Sequence, residues 1–358
     1  MKLKFVIYIL LTSISIVEVK AQDPVFTQYY FVPETQNGAF TGSVNTLNTG
    51  ILHRTQWPDG TRRLDTDYAF INGSIGNISE DSRPNDSNLQ NIGIGLTVLN
   101  QHEVFTDYNY TQINGVFSLN LDLDNFYSGL RMILGLEGGY GTKNFNFKSL
   151  LFEDQINTND GSIGGGSLDP SVLRLQNKID FFDISSGFLL YTDDFWLGAS
   201  MKHLNTPNIA FDSQGKLPLD MNFTLQSGYS FNLDSGPSFS FLPDNSKLVL
   251  TSNFMKQGQY NRLDFGSIVH FNPFIIGVIA ATNPMMKSAD SHLLTSVNLI
   301  GSIKIYNFTF GYSYDVSTSK IENTHGVHEF SLTWQIGREC HSCNNYLARR
   351  PWGRNYDD

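Results

Sequence analysis

The sequence is short of the features that mark many functional classes. Only two cysteines, Cys340 and Cys343, occur in 358 residues, so neither a disulfide-stapled framework nor a four-thiol metal site is available. Basic residues are in the minority, 24 Lys and Arg against 34 Asp and Glu for a net charge of −10. That balance excludes the electropositive footprint that holds a nucleic acid. Past Ala21 there is no apolar run of the ~18 residues a membrane-crossing helix needs, and no stretch repeats with the period of roughly 3.6 of an amphipathic helix.

The first apolar run is of a different kind. Lys2 and Lys4 precede Phe5 to Val17, and Val19 and Ala21 put small residues before Gln22. A basic start, a short apolar core and small residues at the end describe a signal peptide over 1–21, cleaved before Gln22. Its loss removes three lysines and one glutamate, leaving the remainder more acidic. No cysteine follows the cut, so a lipid anchor there is not expected.

What the chain has in plenty is aromatic residues, 13% of the total with 27 Phe and 16 Tyr, together with 31 Gly. The aromatic load excludes disorder, because burying it offsets the entropy of ordering the chain. The dominant pattern is alternation with period two. Ile92, Ile94, Leu96 and Val98 alternate with small or polar residues; so do Met221, Phe223 and Leu225 with Asn222, Thr224 and Gln226, and Phe308, Phe310, Tyr312 and Tyr314 with Thr309, Gly311, Ser313 and Asp315. Strands with one apolar and one polar face, and no apolar helix, predict an antiparallel outer-membrane β-barrel, since only helices and closed barrels satisfy every backbone group in lipid. The aromatics near strand ends (Tyr108, Tyr110, Trp196, Tyr312, Tyr314 and Trp334) read as interfacial girdles.

About 14 strands are expected, near 49–55, 64–75, 91–100, 107–121, 127–141, 179–191, 194–203, 219–232, 246–255, 260–271, 274–282, 292–303, 306–316 and 327–337. The organisation that follows is a signal peptide at 1–21, a periplasmic N-terminal segment at 22–48, the barrel at 49–337 and a periplasmic tail at 338–358. Tight connections alternate with long ones, as periplasmic turns alternate with outer loops. The 142–178 connection is expected outside, and 76–90 breaks the parity by being long on the short side.

Candidate chemistry is sparse. Glu339-Cys340-His341-Ser342-Cys343 follows the last strand, without the βαβ context of a redox centre. Cys340 and Cys343 either close a small disulfide loop or remain thiols. Asn157 to Gly161 fails as a calcium loop, because Ile156 falls at the first ligand position and Ser167 at the last. His328 and Glu329 are adjacent on a strand, so they point to opposite faces and cannot share a catalytic site. No enzyme motif, cofactor or metal is expected. The tail sets Arg349, Arg350, Trp352 and Arg354 in an acidic protein. Arg and Trp are the residue types enriched at binding hot spots, which marks these four as a candidate partner surface.

Residues 22–42, QDPVFTQYYFVPETQNGAFTG, resemble the N-terminal signature of the PorP/SprF family of Bacteroidetes outer-membrane proteins, roughly QDPxFSQYYxxPxxxNPAFAG. Gln22, Asp23, Pro24, Phe26, Gln28, Tyr29, Tyr30, Pro33, Asn37, Ala39, Phe40 and Gly42 match; Thr27 stands for Ser and Gly38 for Pro. Arg54 to Pro58, including Trp57 and Pro58, is similar to the family's R-x-Q-W-P. Asp154-Gln155 matches F-x-DQ and His203 to Asn208 matches HLxxPN. Gly311 to Asp315 and Gly326 to Leu332 match the closing GYSYD and GxHEISL strands. The resemblance implies a non-enzymatic barrel linked to type IX secretion and gliding motility. It further implies support of secretion or surface anchoring of a large adhesin through its C-terminal domain, with periplasmic secretion components and outer-membrane lipid as partners. The alternative is a passive porin-like or small-solute transport barrel.

Overall fold

The computed structural model describes residues 22–43, 46–58, 62–75, 89–123, 127, 129–147, 150–157, 161–233, 243, 246–285, 293–318 and 325–336. Its strands are β1 (Leu47–Gln56), β2 (Leu64–Ile75), β3 (Leu89–Glu103), β4 (Tyr108–Asp122), β5 (Arg131–Asn144), β6 (Lys178–Tyr191) and β7 (Phe195–Lys202). They continue as β8 (Asn222–Asn232), β9 (Lys247–Gln257), β10 (Tyr260–Phe271), β11 (Phe274–Thr282), β12 (Leu294–Ile305), β13 (Phe308–Ser317) and β14 (Val327–Ile336). Each pairs antiparallel with its sequence neighbours, and β14 closes on β1 from Leu47↔Ile336 to Gln56↔Val327. The result is the closed antiparallel outer-membrane barrel of 14 strands that the alternation implies. Its boundaries move at a few elements: β3 runs from Leu89 to Glu103, longer than 91–100. β8 starts at Asn222 instead of 219, because Leu219 is buried with the loop before it.

The alternation resolves into an inside and an outside. On β8, Asn222, Thr224 and Gln226 are 7%, 1% and 3% exposed and face the lumen, whereas Leu225 is 40% exposed on the outer wall. Arg131 and Glu137 on β5, and Ser313 and Asp315 on β13, likewise point inward, with Leu134, Leu136, Phe310 and Tyr312 outward. This inversion of the usual apolar core is stable only where the outer face meets hydrocarbon.

The end of the barrel where the chain enters β1 and leaves β14 is called here the near end. Tight near-end turns join β6 to β7, β10 to β11 and β12 to β13; the 33-residue connection from β5 to β6 lies at the far end. Two near-end connections are long, 76–88 and 233–246, so the parity pattern has a second exception besides the one anticipated. Tyr312 and Trp334 face outward, as the girdle reading requires. It fails for Tyr110 and Trp196, whose side chains are buried inside the barrel.

A larger correction concerns the segment at 22–48. Residues 22–43 do not hang beneath the barrel: they lie inside it as a plug. Three short 3-10 turns, Thr27–Tyr30, Pro33–Thr35 and Gly38–Phe40, fold the segment against the wall, and nearly all of its side chains from Phe26 to Ser43 are buried. Tyr29, Tyr30, Ala39 and Phe40 share one apolar cluster with inward Ile133, Leu189, Trp196, Val249, Ile268 and Ile279. Phe26 and Val32 share another with Leu52, Tyr68 and Phe70. Burial of these rings and branched chains, each worth about 1.5–3 kcal/mol when complete, draws the plug into the lumen. Residues 337–358 lie outside the described residues, and with them Cys340, Cys343, Arg349, Arg350, Trp352 and Arg354.

Candidate functional site: the plug and its seat

A polar wall around a buried segment imposes an accounting problem, since every buried donor and acceptor needs a partner. The plug meets it at four levels. At the far end, Asp23 Oδ2 contacts His203 Nε2 at 2.8 Å and accepts from Asn222 Nδ2 at 2.9 Å. The Asp23 amide donates to Gln257 Oε1 at 2.9 Å. His203 Nδ1 lies 2.9 Å from Asp183 Oδ2, so one imidazole sits between two carboxylates. Burial opposes charge on that ring, but Asp23 and Asp183 outweigh it and raise its pKa to about 9. Burial would likewise raise the Asp23 carboxyl; the opposing charge of His203 instead holds it well below the usual carboxylate range.

Next comes the seam between β13, β14 and β1. Glu329 accepts from the amides of Thr27 and Gln28 at 2.8 and 2.9 Å, one on each oxygen. Arg54 pairs with Glu329 and lies 3.6 Å from Asp315. Thr27 Oγ1 donates to Asp315 Oδ2 at 2.7 Å, Gln28 Nε2 donates to the Glu329 carbonyl at 3.0 Å, and Ser331 Oγ donates to Gln28 Oε1 at 2.6 Å. A carboxylate that accepts two consecutive backbone amides with an arginine beside it forms charge-assisted bonds, the stronger kind. This seam reads backbone geometry as well as side-chain identity.

Further along the plug, Tyr30 OH bonds His270 Nε2 at 2.8 Å. Lys202 Nζ donates to the Thr35 carbonyl and Ser200 Oγ to the Gln36 carbonyl, both at 2.7 Å. Asn37 holds the last 3-10 turn: its Oδ1 accepts from the Ala39 amide at 2.9 Å, and its Nδ2 donates to the carbonyls of Phe188 and Ala199. At the near end the plug presses on bare backbone. Gly42 has φ +66°, and a Cβ on it would lie 2.4 Å from the Gly93 Cα. The same crowding on Gly93 would meet the Thr41 carbonyl at 2.6 Å. Glycine at both positions lets two chains touch, and at Gly42 it also supplies the left-handed turn.

Most of the signature residues therefore converge. Asp23, Phe26, Gln28, Tyr29, Tyr30 and Asn37 are seated in the lumen, with Pro24 and Pro33 half-buried between them and Gln22 exposed at the far mouth. Trp57 and Pro58 are not brought to the seat; they lie in the far-end connection after β1, Trp57 exposed with φ +53°. The wall half of the site was not marked by sequence reasoning as a site. Arg54, His203, Asp315 and Glu329 stood in the family motifs, and their shared role is to hold the plug. Asn72, which donates to Glu34 Oε1 at 2.8 Å, and Ser118, which donates to the Thr41 carbonyl at 2.6 Å, join Lys202, Ser200 and His270 in carrying only one signal, a polar residue at an inward position of a strand. His328 and Glu329 do point to opposite faces, His328 outward to Tyr312 and Glu329 inward.

Apolar outside, polar inside and closed on itself, the chain is an outer-membrane β-barrel whose lumen is occupied by its own N-terminal segment. It belongs to the family of type IX secretion system membrane proteins PorP/SprF, whose model matches residues 18–334. No curated protein matches the chain. Among solved structures it is similar in fold to a mutant TodX monoaromatic hydrocarbon channel, at 10% identity and TM-score 0.47, covering 87% of this chain and 93% of that one. A mutant porin of Rh. blastica is similar at 8% identity and TM-score 0.34, covering 81% and 99%. CdiB from Acinetobacter baumannii gives 10% identity and TM-score 0.39, covering 81% and 60%.

Proposed function

We propose that this barrel is a non-enzymatic component of the type IX secretion machinery that supports the secretion or surface anchoring of a large adhesin through its C-terminal domain, in connection with gliding motility. The near end, and the tail after β14, face the periplasm and its secretion components. The observation that carries this reading over a passive pore is the plug. A passive, permanently open diffusion pore needs a clear lumen, whereas here 22 residues of the chain occupy it, held by Glu329, Arg54 and His203. Arg349, Arg350, Trp352 and Arg354 are proposed as the periplasmic contact, with Cys340 and Cys343 closing a loop at its base.

Affinity purification from native outer membranes tests this. A secreted adhesin co-purifying with the full chain, and lost when 344–358 is deleted from a well-assembled barrel, is the expected result. Recovery of the barrel alone, with high single-channel conductance, overturns it in favour of solute transport.

A further inference from the structure

Three Asn-Gly pairs occur in the chain, at 37–38, 72–73 and 114–115. Such a pair is prone to lose its side-chain amide, because glycine carries no side chain to keep its own nitrogen from turning onto the asparagine. Asn72 and Asn114 lie within β2 and β4, where ladders on both sides fix the backbone. Asn37 lies in the plug, where contacts with the wall fix it instead. Gly38 stands where the family signature has proline, whose nitrogen has no proton to give up.

In the seated plug, geometry holds the reaction off. Asn37 is 0% exposed. Its backbone is extended, at φ −147° and ψ 113°, so the Gly38 nitrogen points away from the Asn37 side chain. That side chain is fixed at both ends: Oδ1 accepts from the Ala39 amide at 2.9 Å, and Nδ2 donates to the carbonyls of Phe188 and Ala199 at 3.0 and 3.3 Å. Phe188 and Ala199 are directly opposite each other on β6 and β7. Two glycines make room for the amide. A Cβ on Gly187 would lie 2.2 Å from Asn37 Oδ1, and one on Gly198 would lie 3.1 Å from Nδ2. A socket of two carbonyls and one N–H suits an amide and rejects an acid, since a carboxylate would set acceptor against acceptor at Phe188 and Ala199. It would also add negative charge beside Glu137, whose Oε2 lies 3.3 Å from where a Gly38 Cβ would be.

We propose that Asn37-Gly38 is a deamidation site protected by seating, so that departure of this part of the plug becomes a one-way event. Once Asn37 leaves its socket, the Gly38 nitrogen attacks Cγ and loses its proton. The Cγ–Nδ2 bond breaks, ammonia leaves with that proton, and a five-membered succinimide closes. Water then opens the ring. Breaking the bond from nitrogen to Cγ gives aspartate; breaking the bond from nitrogen to the Asn37 carbonyl carbon gives isoaspartate, with the main chain rerouted through Cγ. The sequence is redox-neutral: one water is taken up and one ammonia released. Either product carries a carboxylate that the socket rejects. Isoaspartate also lengthens the main chain next to a turn that sits on bare backbone, where a Cβ on Gly135 would lie 2.6 Å from the Ala39 nitrogen. The modified segment does not reseat.

The test follows the full chain, reconstituted in nanodiscs, through incubation in mildly alkaline buffer, with peptide mass spectrometry of Asn37, Asn72 and Asn114 after digestion in acid. In the wild type Asn37 deamidates more slowly than in the free peptide 33–43 by about tenfold or more, since only the opened fraction reacts. Gly187→Ala evicts Asn37 through the 2.2 Å contact and brings its rate close to that of the peptide. Asn72 and Asn114 stay intact in the same sample, and heat-modifiable migration shows the barrel closed; where that variant fails to close, Gly198→Val takes its place. Adding Gly38→Pro to Gly187→Ala abolishes the reaction. Asn37→Asp shows the consequence directly, as a closed barrel whose residues 33–43 have lost protection from protease. Deamidation in the wild type as fast as in the peptide overturns the proposal. So does an unchanged rate in closed Gly187→Ala barrels, or an Asn37→Asp plug protected as fully as the wild type.

Discussion

Replacing Glu329 by glutamine keeps the size of the side chain and removes one acceptor. The two Glu329 oxygens receive the Thr27 and Gln28 amides at 2.8 and 2.9 Å. In Glu329→Gln one of those amides faces an NH2 group, donor against donor, and a buried unpaired donor costs about 1–3 kcal/mol. Arg54 loses its closest carboxylate as well. Breaking a buried pair by removing one partner costs about 3–5 kcal/mol, part of which Asp315, 3.6 Å away, recovers. A net cost of about 3 kcal/mol shifts the balance between seated and released plug by roughly a hundredfold. The strand ladders are untouched, so the barrel stays closed. Trp196 reports the change: it is buried in the lumen with its ring 6.3 Å from that of Tyr30. With Trp57, Trp334 and Trp352 changed to Phe, acrylamide quenching of Trp196 rises several-fold in Glu329→Gln, single-channel conductance rises with it, and heat-modifiable migration is unchanged. Quenching and conductance equal to the parent in a well-folded variant would refute the assignment of Glu329 as the plug's anchor.

Three further outcomes follow from the same geometry. The far-end latch is pH-dependent with a calculable sign: His203 is raised from 6.5 to about 9, so its contribution, at most about 3 kcal/mol, is complete below the lower value and is lost as pH rises through the upper one. Asp23 is shifted downward, so its share is present above the usual carboxylate range and is lost only in acid. Hydrogen exchange over residues 22–30, corrected for intrinsic rates, accelerates between neutral and alkaline pH in the wild type and shows no such limb in His203→Gln. Gly93→Val forces the near end of the plug off the wall, because its Cβ alone would meet Ser118 Oγ at 2.2 Å and the Thr41 carbonyl at 2.6 Å; lost proteolytic protection of 38–43 is the readout, and unchanged protection counts against the close approach. An epitope inserted between Ala21 and Gln22 emerges at the far mouth and binds antibody on intact cells; labelling only after permeabilisation would reverse the barrel's orientation.

The strands were readable because a barrel wall obeys a local rule: Asn222, Thr224 and Gln226 must alternate with Phe223 and Leu225 whatever else the chain does. The plug was not, because residues 22–43 have no period and owe their conformation to contacts with strands as much as 303 positions away, as from Gln28 to Ser331. Polar inward residues fit a water-filled lumen as well as a plugged one. The available clue lay elsewhere, in bulky inward positions such as Ile133, Leu189, Trp196, Ile268 and Ile279. Such residues have no reason to face water, and they imply that something apolar fills the space. Tyr110 and Trp196 lie near strand ends, as girdle residues do, but position along a strand does not fix the face, and both side chains point inward.

The order of the contacts along the plug has a mechanical meaning. Only residues 44–46 separate the plug from β1, so its near end is held at a high effective concentration by the chain itself, and close packing of Gly42 on Gly93 suffices there. The tether's benefit falls with distance along the segment. At the far end it is weakest, and there the structure places its ionic contacts: Asp23 on His203 first, then Thr27 and Gln28 on Glu329. Release from the far mouth must therefore pass two latches in series. Opening the first alone frees only residues 22–25, while Phe26 and Val32 remain packed against Leu52, Tyr68 and Phe70. Loss of the second, on Thr27 and Gln28, leaves the far half held by its apolar packing and by Tyr30 on His270. The seam residues Arg54, Asp315 and Glu329 thus control how far the segment withdraws, and His203 controls whether withdrawal starts.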